Sequence, residues 1–413
     1  MKKNLLFIML IILIILTGCT TKTIYNIELE DYTLKYINSL KQIACDNDGA
    51  YYLERDTRAN WIIRYIDYEN QKDMPLCSRL ECEHKDSSCT AFIEYTGNMY
   101  DIRVVGEKLM LLSTSAEEDW INVKNDDALS KIEIMDKNGE NKKTLVKFQP
   151  NQSLIGTMAY DEKNIYTMLT ETNKAKDNRI SIKTILISVD RENGQIQKLY
   201  DYDNKTPYML GIYNNKILTY FDNINNLNGS YITEIDAVDV YKKEIDNIMT
   251  LNSQERLMVH NNRLFIINNK SGIYEVSPSS DEKKIIFDSS ECDMFVVSDM
   301  IDHFAVCYEY FSIIDKSNII LVDLNTGEKR DFSLVYDLEN NERGKEAPAI
   351  DLLFEKNDDI LIRNSYQEDT MTVPLYNGEK GNVWPIKKYG YAFIEKEDLL
   401  KNEYKFEKVV RNN

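Results

Sequence analysis

AYDEKNIYTMLTETNKAKDNRISIKTILISVDRENGQIQKLY, residues 159–200, decides the fold. It holds two apolar runs of strand length on either side of a polar turn (Asp161–Asn164), then a second pair around Asp190-Arg191-Glu192-Asn193-Gly194. Asn-Gly and Asp-Gly between strand-like runs are hairpin signals, because they tolerate the positive φ of tight turns. The two hairpins follow one another with no helical spacing between them. That makes one antiparallel unit of four strands.

Working outward, the first hairpin type recurs at residues 43–54, 104–113, 211–221, 259–268, 296–310 and 352–364. The second recurs at 65–76, 132–145, 238–251, 274–287, 320–332 and 373–386. The two types alternate, seven of each. First-type turns, counted from Asp46, Gly106, Asp161, Asn214, Asn261, Ser298 and Lys356, lie 37 to 60 residues apart. Two hairpins per ~40 to 55 residues is the period of a four-stranded propeller blade. The expected fold is therefore all-β: a seven-bladed β-propeller of four-stranded antiparallel blades, with six and eight as neighbouring counts. Two independent β-sandwiches are the competing architecture, and the even alternation of hairpins argues against it. A single core rarely grows beyond ~250–300 residues, so 413 residues also favour a repeat. The propeller is expected over 37–394, followed by a tail at 395–413 with a short helix at Lys396–Asn402. Ile24–Tyr36 is expected to supply the last strand of the final blade and close the ring, which would otherwise leave an open edge.

Lys2, Lys3 and the twelve-residue apolar run Leu5–Leu16 lead into Leu16-Thr17-Gly18-Cys19. The run is too short to span a bilayer and has the length of a secretory core. The ending resembles the bacterial lipobox. That resemblance implies a signal peptide at 1–18, cleavage before Cys19 and a diacylglyceryl thioether on its sulfur. Residues 19–36 would then form the lipidated terminus and tether. Two acyl chains anchor stably where one does not. The expected location is the outer face of a cytoplasmic membrane, and the high Asn, Ile, Lys and Tyr content fits an AT-rich Gram-positive source. Cleavage removes two lysines and no acid, taking the net charge from −18 to −20. Such a chain repels nucleic acid and anionic surfaces, so nucleic acid is not expected as a partner.

With Cys19 lipidated, six cysteines remain, and three crowd into LCSRLECEHKDSSC, residues 76–89. Cys77, Cys82, His84 and Cys89 follow the spacing C-x4-C-x-H-x4-C and offer three thiolates and one imidazole. That is the donor set of a closed structural zinc site. Disulfides remain the alternative outside the cell, with fifteen pairings open to six cysteines, and free thiols are a third reading. Cys292 and Cys307 flank a hairpin centred on Met300–Ile301, one diagonal step from direct pairing, so buried free thiols suit them better. Cys45 is expected in a core strand.

The segment also resembles one found in lipid-anchored propeller proteins of uncertain function from clostridia-like Gram-positive anaerobes. Their pattern is L-C-S-x-x-x-C-x-H-x-x-x-x-C-x-A in the loop after an outer strand. Leu76-Cys77-Ser78, Cys82-Glu83-His84 and Cys89-Thr90-Ala91 match it. The resemblance implies no activity. It implies an anaerobic setting in which thiols stay reduced and metal is easier to keep.

Within a blade, the first-to-second and third-to-fourth turns share one face of the ring. The remaining loops share the other, and here they are long: Pro75–Asn98, Ser113–Ser130, Glu171–Ser181 and Asp222–Ser230. Long loops on a rigid ring carry function. Trp120, inside an acidic segment, is the candidate binding residue. The sequence lacks GxSxG, GxxxxGK[ST] and HExxH, and His260 and His303 fall at turns. Asp46-Asn47-Asp48-Gly49 resembles half a calcium loop but lacks the downstream acid, and reads as a hairpin turn. The expected function is a membrane-tethered, non-enzymatic binding or scaffold module for a protein, peptide or glycan. The alternative is a carbohydrate-active enzyme, for which two or three axial carboxylates would suffice.

Overall fold

The computed structural model describes residues 33–37, 42–114, 129–174, 180–202, 205–224, 230–313, 316–336, 349–373 and 383–412. Cys19 and Trp120 lie outside them. The described chain forms seven sheets, each with a four-stranded antiparallel core built from consecutive strands. Blade 1 begins at Ile43, blade 2 at Met99, blade 3 at Gln152, blade 4 at Tyr208, blade 5 at Glu255, blade 6 at Met294 and blade 7 at Asp351. The seven-bladed propeller expected from the hairpin spacing is the fold observed.

A blade is packed on both faces, and this explains why its second strand reads as continuously apolar. Side chains alternate across a strand. In Lys108–Thr114, Leu109 and Leu111 join the cluster shared with blade 1. Met110 and Leu112 join the one shared with blade 3. The core is accordingly seven clusters, one per pair of neighbouring blades, and the seventh joins blade 7 to blade 1 through Ile43, Tyr52, Ile66, Leu361, Tyr391 and Phe393. That cluster closes the ring.

Two backbone features shape the tight-turn face. The third-to-fourth turns of blades 3 and 6 place Gly194 (φ +74) and Gly327 (φ +77) against carbonyls of the preceding blade's outer strand, where a Cβ would meet Leu145 O at 2.1 Å and Ile286 O at 2.2 Å. Asparagines with positive φ occupy the first turns of blades 4 and 5 and bridge them: Asn214 N donates to Asn262 Oδ1 at 2.8 Å, and Asn262 Nδ2 to Asn214 Oδ1 at 3.1 Å. His260 and His303 serve the same face, His260 Nε2 at 2.5 Å from the Asp302 carbonyl and His303 Nδ1 at 2.7 Å from Asp302 Oδ2. Asp46 Oδ1 accepts from the amides of Asp48 and Gly49, each at 2.9 Å, as a hairpin turn requires.

Three expectations need correction. Residues 373–386 do not form the last hairpin of blade 7. Val383–Ile386 already belong to the third strand, Val383–Glu395, which pairs with the second, Asp359–Thr372. The fourth strand of that blade is Glu407–Lys408, after a helix at Lys396–Leu400. Of Ile24–Tyr36, residues 24–32 lie outside the described residues, and the described end does not extend blade 7. Lys35–Ile37 pairs antiparallel with Tyr160–Met158, on the inner edge of blade 3. Closure comes from the C-terminus. Val410–Arg411 pairs parallel with Lys72–Asp73, the outer strand of blade 1. Finally, the blade 6 hairpin turns at Asp302–His303, and Cys292 precedes its first strand, so Cys292 and Cys307 have no cross-strand relation. Both are buried and unbridged.

Candidate metal centre and binding surface

The cysteine segment interrupts a strand rather than following one. Lys72–Pro75 pairs with Asp67–Arg64, and Phe92–Ile93 pairs with Ile62–Trp61 in the same direction, so together they make one outer strand of blade 1. Both ends of the excursion meet the same residue: Leu76 N donates to Ile63 O, and Ile63 N to Ala91 O, each at 2.8 Å. Thr90 Oγ1 donates to Leu76 O at 3.0 Å. Residues 77–90 are thus a closed loop set into the rim of blade 1, not part of the inter-blade loop expected from the sequence. Only residues 94–98 make that connection.

Within the loop, Sγ of Cys77, Cys82 and Cys89 and a ring nitrogen of His84 all lie within 4.8 Å of one another. The edge of a tetrahedron of zinc–thiolate bonds is about 3.8 Å. His84 Nδ1 is already 3.1 Å from Cys89 Sγ. The backbone turns within the loop, with Glu81 (φ 65) and His84 (φ 53) in left-handed conformation beside and at the donors. Burial alone would raise the Cys77 thiol, but hydrogen bonds from the Arg79 amide and guanidinium and from Cys82 and Cys89 bring it down to about 7. Cys89 is pushed up to about 12, chiefly by burial. Burial, helped by Arg64 and Arg79, lowers His84 and favours its neutral, ligating form. Arg79 Nη2 stands 3.5 Å from Cys82 Sγ, where it would offset the single negative charge of a zinc ion with three thiolates. The donor set, its closeness and its counter-charge all fit a closed four-coordinate metal site. None of the six cysteines among the described residues is bridged.

The axial channel gives the second region. At its tight-turn mouth, Lys35–Ile37 lies among inner strands of blades 1, 2, 3 and 7, which together line a cavity of about 620 Å³. Leu34 is buried, and its amide donates to Asn215 Oδ1 at 2.8 Å. Tyr36 Oη reaches the Met209 carbonyl at 3.4 Å, and burial pushes this phenol up to about 12. The Arg103 guanidinium, fully buried, pairs with Asp101 two residues back along the same strand. An axial carboxylate is thereby neutralised inside the ring.

On the opposite, long-loop face, a groove of about 590 Å³ runs between blades 4 and 5, with Leu210, Ile235 and Leu257 along its floor and Tyr220, Tyr231, Asp222, Glu255 and Arg256 around it. Tyr208 stacks on Tyr220 with ring centroids 5.5 Å apart. Tyr231 is 67% exposed. Both carboxylates are engaged: Asp222 Oδ1 accepts from the Thr233 hydroxyl at 2.7 Å, and Glu255 Oε1 pairs with Lys283 at 2.7 Å. No local pattern in the sequence pointed to this groove, because its tyrosines come from three strands of blade 4 and its charges from both blades.

No family model matches the sequence, and no curated protein matches it. Solved structures do. A prolyl endopeptidase is 8% identical (TM-score 0.48) over 88% of this chain and 47% of its own, so the chain spans about half its length. An oligogalacturonate lyase in complex with manganese is 10% identical (TM-score 0.49), covering 90% of this chain and 92% of its own. The β-propeller domain of the Trilobed protease from Pyrococcus furiosus is 10% identical (TM-score 0.46), covering 86% and 97%. Among the described residues, no helix is long and apolar enough to cross a membrane.

Proposed function

We propose that this chain is an extracytoplasmic propeller, held by a lipid on Cys19 at the outer face of the cytoplasmic membrane, that binds a glycan, peptide or protein through its long-loop face without chemically altering it. The tyrosine groove between blades 4 and 5 carries this reading. Clefts of ~300–1,000 Å³ with an apolar floor, exposed aromatic faces and a few polar groups are what ligand sites present. The carboxylates that would favour a carbohydrate-active enzyme, Asp222 and Glu255, are each held by a partner in the groove wall. Cys77, Cys82, His84 and Cys89 would hold one structural zinc ion, fixing the rim loop of blade 1. A closed site leaves no position for water and so serves shape rather than reaction.

Equilibrium binding of neutral oligosaccharides and of unstructured peptides distinguishes the ligand classes. Tyr231→Ala should weaken binding of whichever class is held by more than ~1 kcal/mol, about fivefold, with the melting temperature unchanged. New reducing ends released from the oligosaccharides would replace the binding reading with the enzymatic one.

A further inference from the structure

The point where the chain enters the ring fixes which face can meet a membrane. Strands on the inner edge of a blade run from the long-loop face to the tight-turn face, and Gln152–Tyr160 ends in the turn at Asp161. Lys35–Ile37 runs antiparallel to it, with Lys35 opposite Tyr160 and Ile37 opposite Met158. The chain therefore enters at the tight-turn face and runs inward along the axis. The entry is firmly held. Leu34 is 4% exposed within the cluster of blades 3 and 4, its amide is bonded to the Asn215 turn, and Lys35 lies over the Tyr160 ring.

We infer that the tight-turn face is turned toward a lipid bilayer and the long-loop face away from it. The inference rests on the proposed lipidation of Cys19. Fourteen residues, or fifteen Cα-to-Cα steps, separate Cys19 from Leu34. Whatever their course, they reach at most ~50 Å, and a flexible chain of that length averages about 20 Å. From the channel mouth, the opposite face can meet the bilayer only if the tether first runs to the rim. Four strands ~4.8 Å apart, with half the channel, make that ~20–25 Å. It must then pass down the side, ~30 Å for a nine-residue strand. The detour consumes the whole extended length. The tight-turn face needs none of it. The groove between blades 4 and 5 consequently opens away from the membrane.

The test uses lipidated full-length protein on phosphatidylcholine vesicles doped with a lipid carrying a photoreactive carbene source on its headgroup. Cross-links mapped by mass spectrometry should favour the channel-mouth turns at residues 46–48, 106–107, 161–163 and 214–215 over Ile182, Tyr231 and Trp384 by ~5-fold or more, given the reach of the tether. An even or reversed distribution on vesicle-bound protein overturns the orientation and leaves the anchor standing. Protein that fails to float with vesicles, or Cys19→Ala protein that floats as well as wild type, overturns the anchor and the orientation with it. Inserting about 30 Gly/Ser residues before Leu34 should flatten the ratio, since that reach exceeds the detour. A ratio that survives the insertion means the surface itself adheres, which overturns the tether argument.

Discussion

Gly194 and Gly97 have the same backbone problem in different surroundings. Both have positive φ, +74 and +86, where a Cβ costs about 1–2 kcal/mol. A Cβ on Gly97 meets nothing within 4 Å, whereas on Gly194 it meets Leu145 O at 2.1 Å. Gly97→Ala should therefore lower stability by about 1 kcal/mol, and Gly194→Ala by a further ~1–3 kcal/mol as the turn of blade 3 is pushed off blade 2. Denaturant unfolding of the two variants measures the difference. Equal losses would mean that the contact between blades yields freely. The turn glycine is legible in the sequence as a hairpin signal, but its second task is not. The carbonyl it accommodates belongs to another blade, about fifty residues away.

The ring's seam shows which elements the sequence reveals and which it hides. Strands buried on both sides, such as Lys108–Thr114, announce themselves by apolar runs. The closing strands do not: Glu407–Lys408 and Val410–Arg411 have two residues each and are exposed. Their hold lies in polar contacts that no local pattern displays. Arg64 pairs with Asp73 at 2.9 Å with both side chains buried, and its Nη2 donates to the Asn412 carbonyl at 2.9 Å. Asn412 N donates to Asp73 O at 2.7 Å, and Arg411 pairs with the mostly buried Glu54. The split outer strand of blade 1 was hidden for the same reason, since Phe92–Ile93 is too short to declare itself. Deleting residues 409–413 should remove about 2–4 kcal/mol, because it leaves Glu54 without its cation and Arg64 short of one acceptor. Hydrogen exchange should then quicken in Gly49–Asp67 and Asp359–Glu395 and stay slow in blades 3 to 5. Uniform acceleration around the ring would show that the seam is no separate unit of opening.

Across the whole molecule, stability and the metal centre are separable. A propeller with seven inter-blade clusters has its folding energy distributed around the ring, and the rim loop touches one of them, through Leu76, Cys89 and Ala91, with Cys77 and Cys82 packed alongside. Where a peptide folds only around its zinc, the ion contributes ~10–16 kcal/mol. Here both ends of the loop are already tied at Ile63, so the ion has only residues 77–90 to order. Protein purified under reductant should contain about one zinc per chain, and His84→Ala should lower that content. Chelation should open residues 78–88 to proteolysis while the ring's melting temperature moves little. A collapse of the whole transition on chelation would make the loop part of the ring's cooperative unit. Absence of metal under reducing conditions, with Cys77, Cys82 or Cys89 recovered as oxidised pairs from native preparations, would assign the cluster to disulfide chemistry instead. The donor types were legible because four ligating residues fall within thirteen positions. Their convergence was not, because it involves left-handed backbone at Glu81 and His84, and a glutamate gives no sequence signal for that conformation.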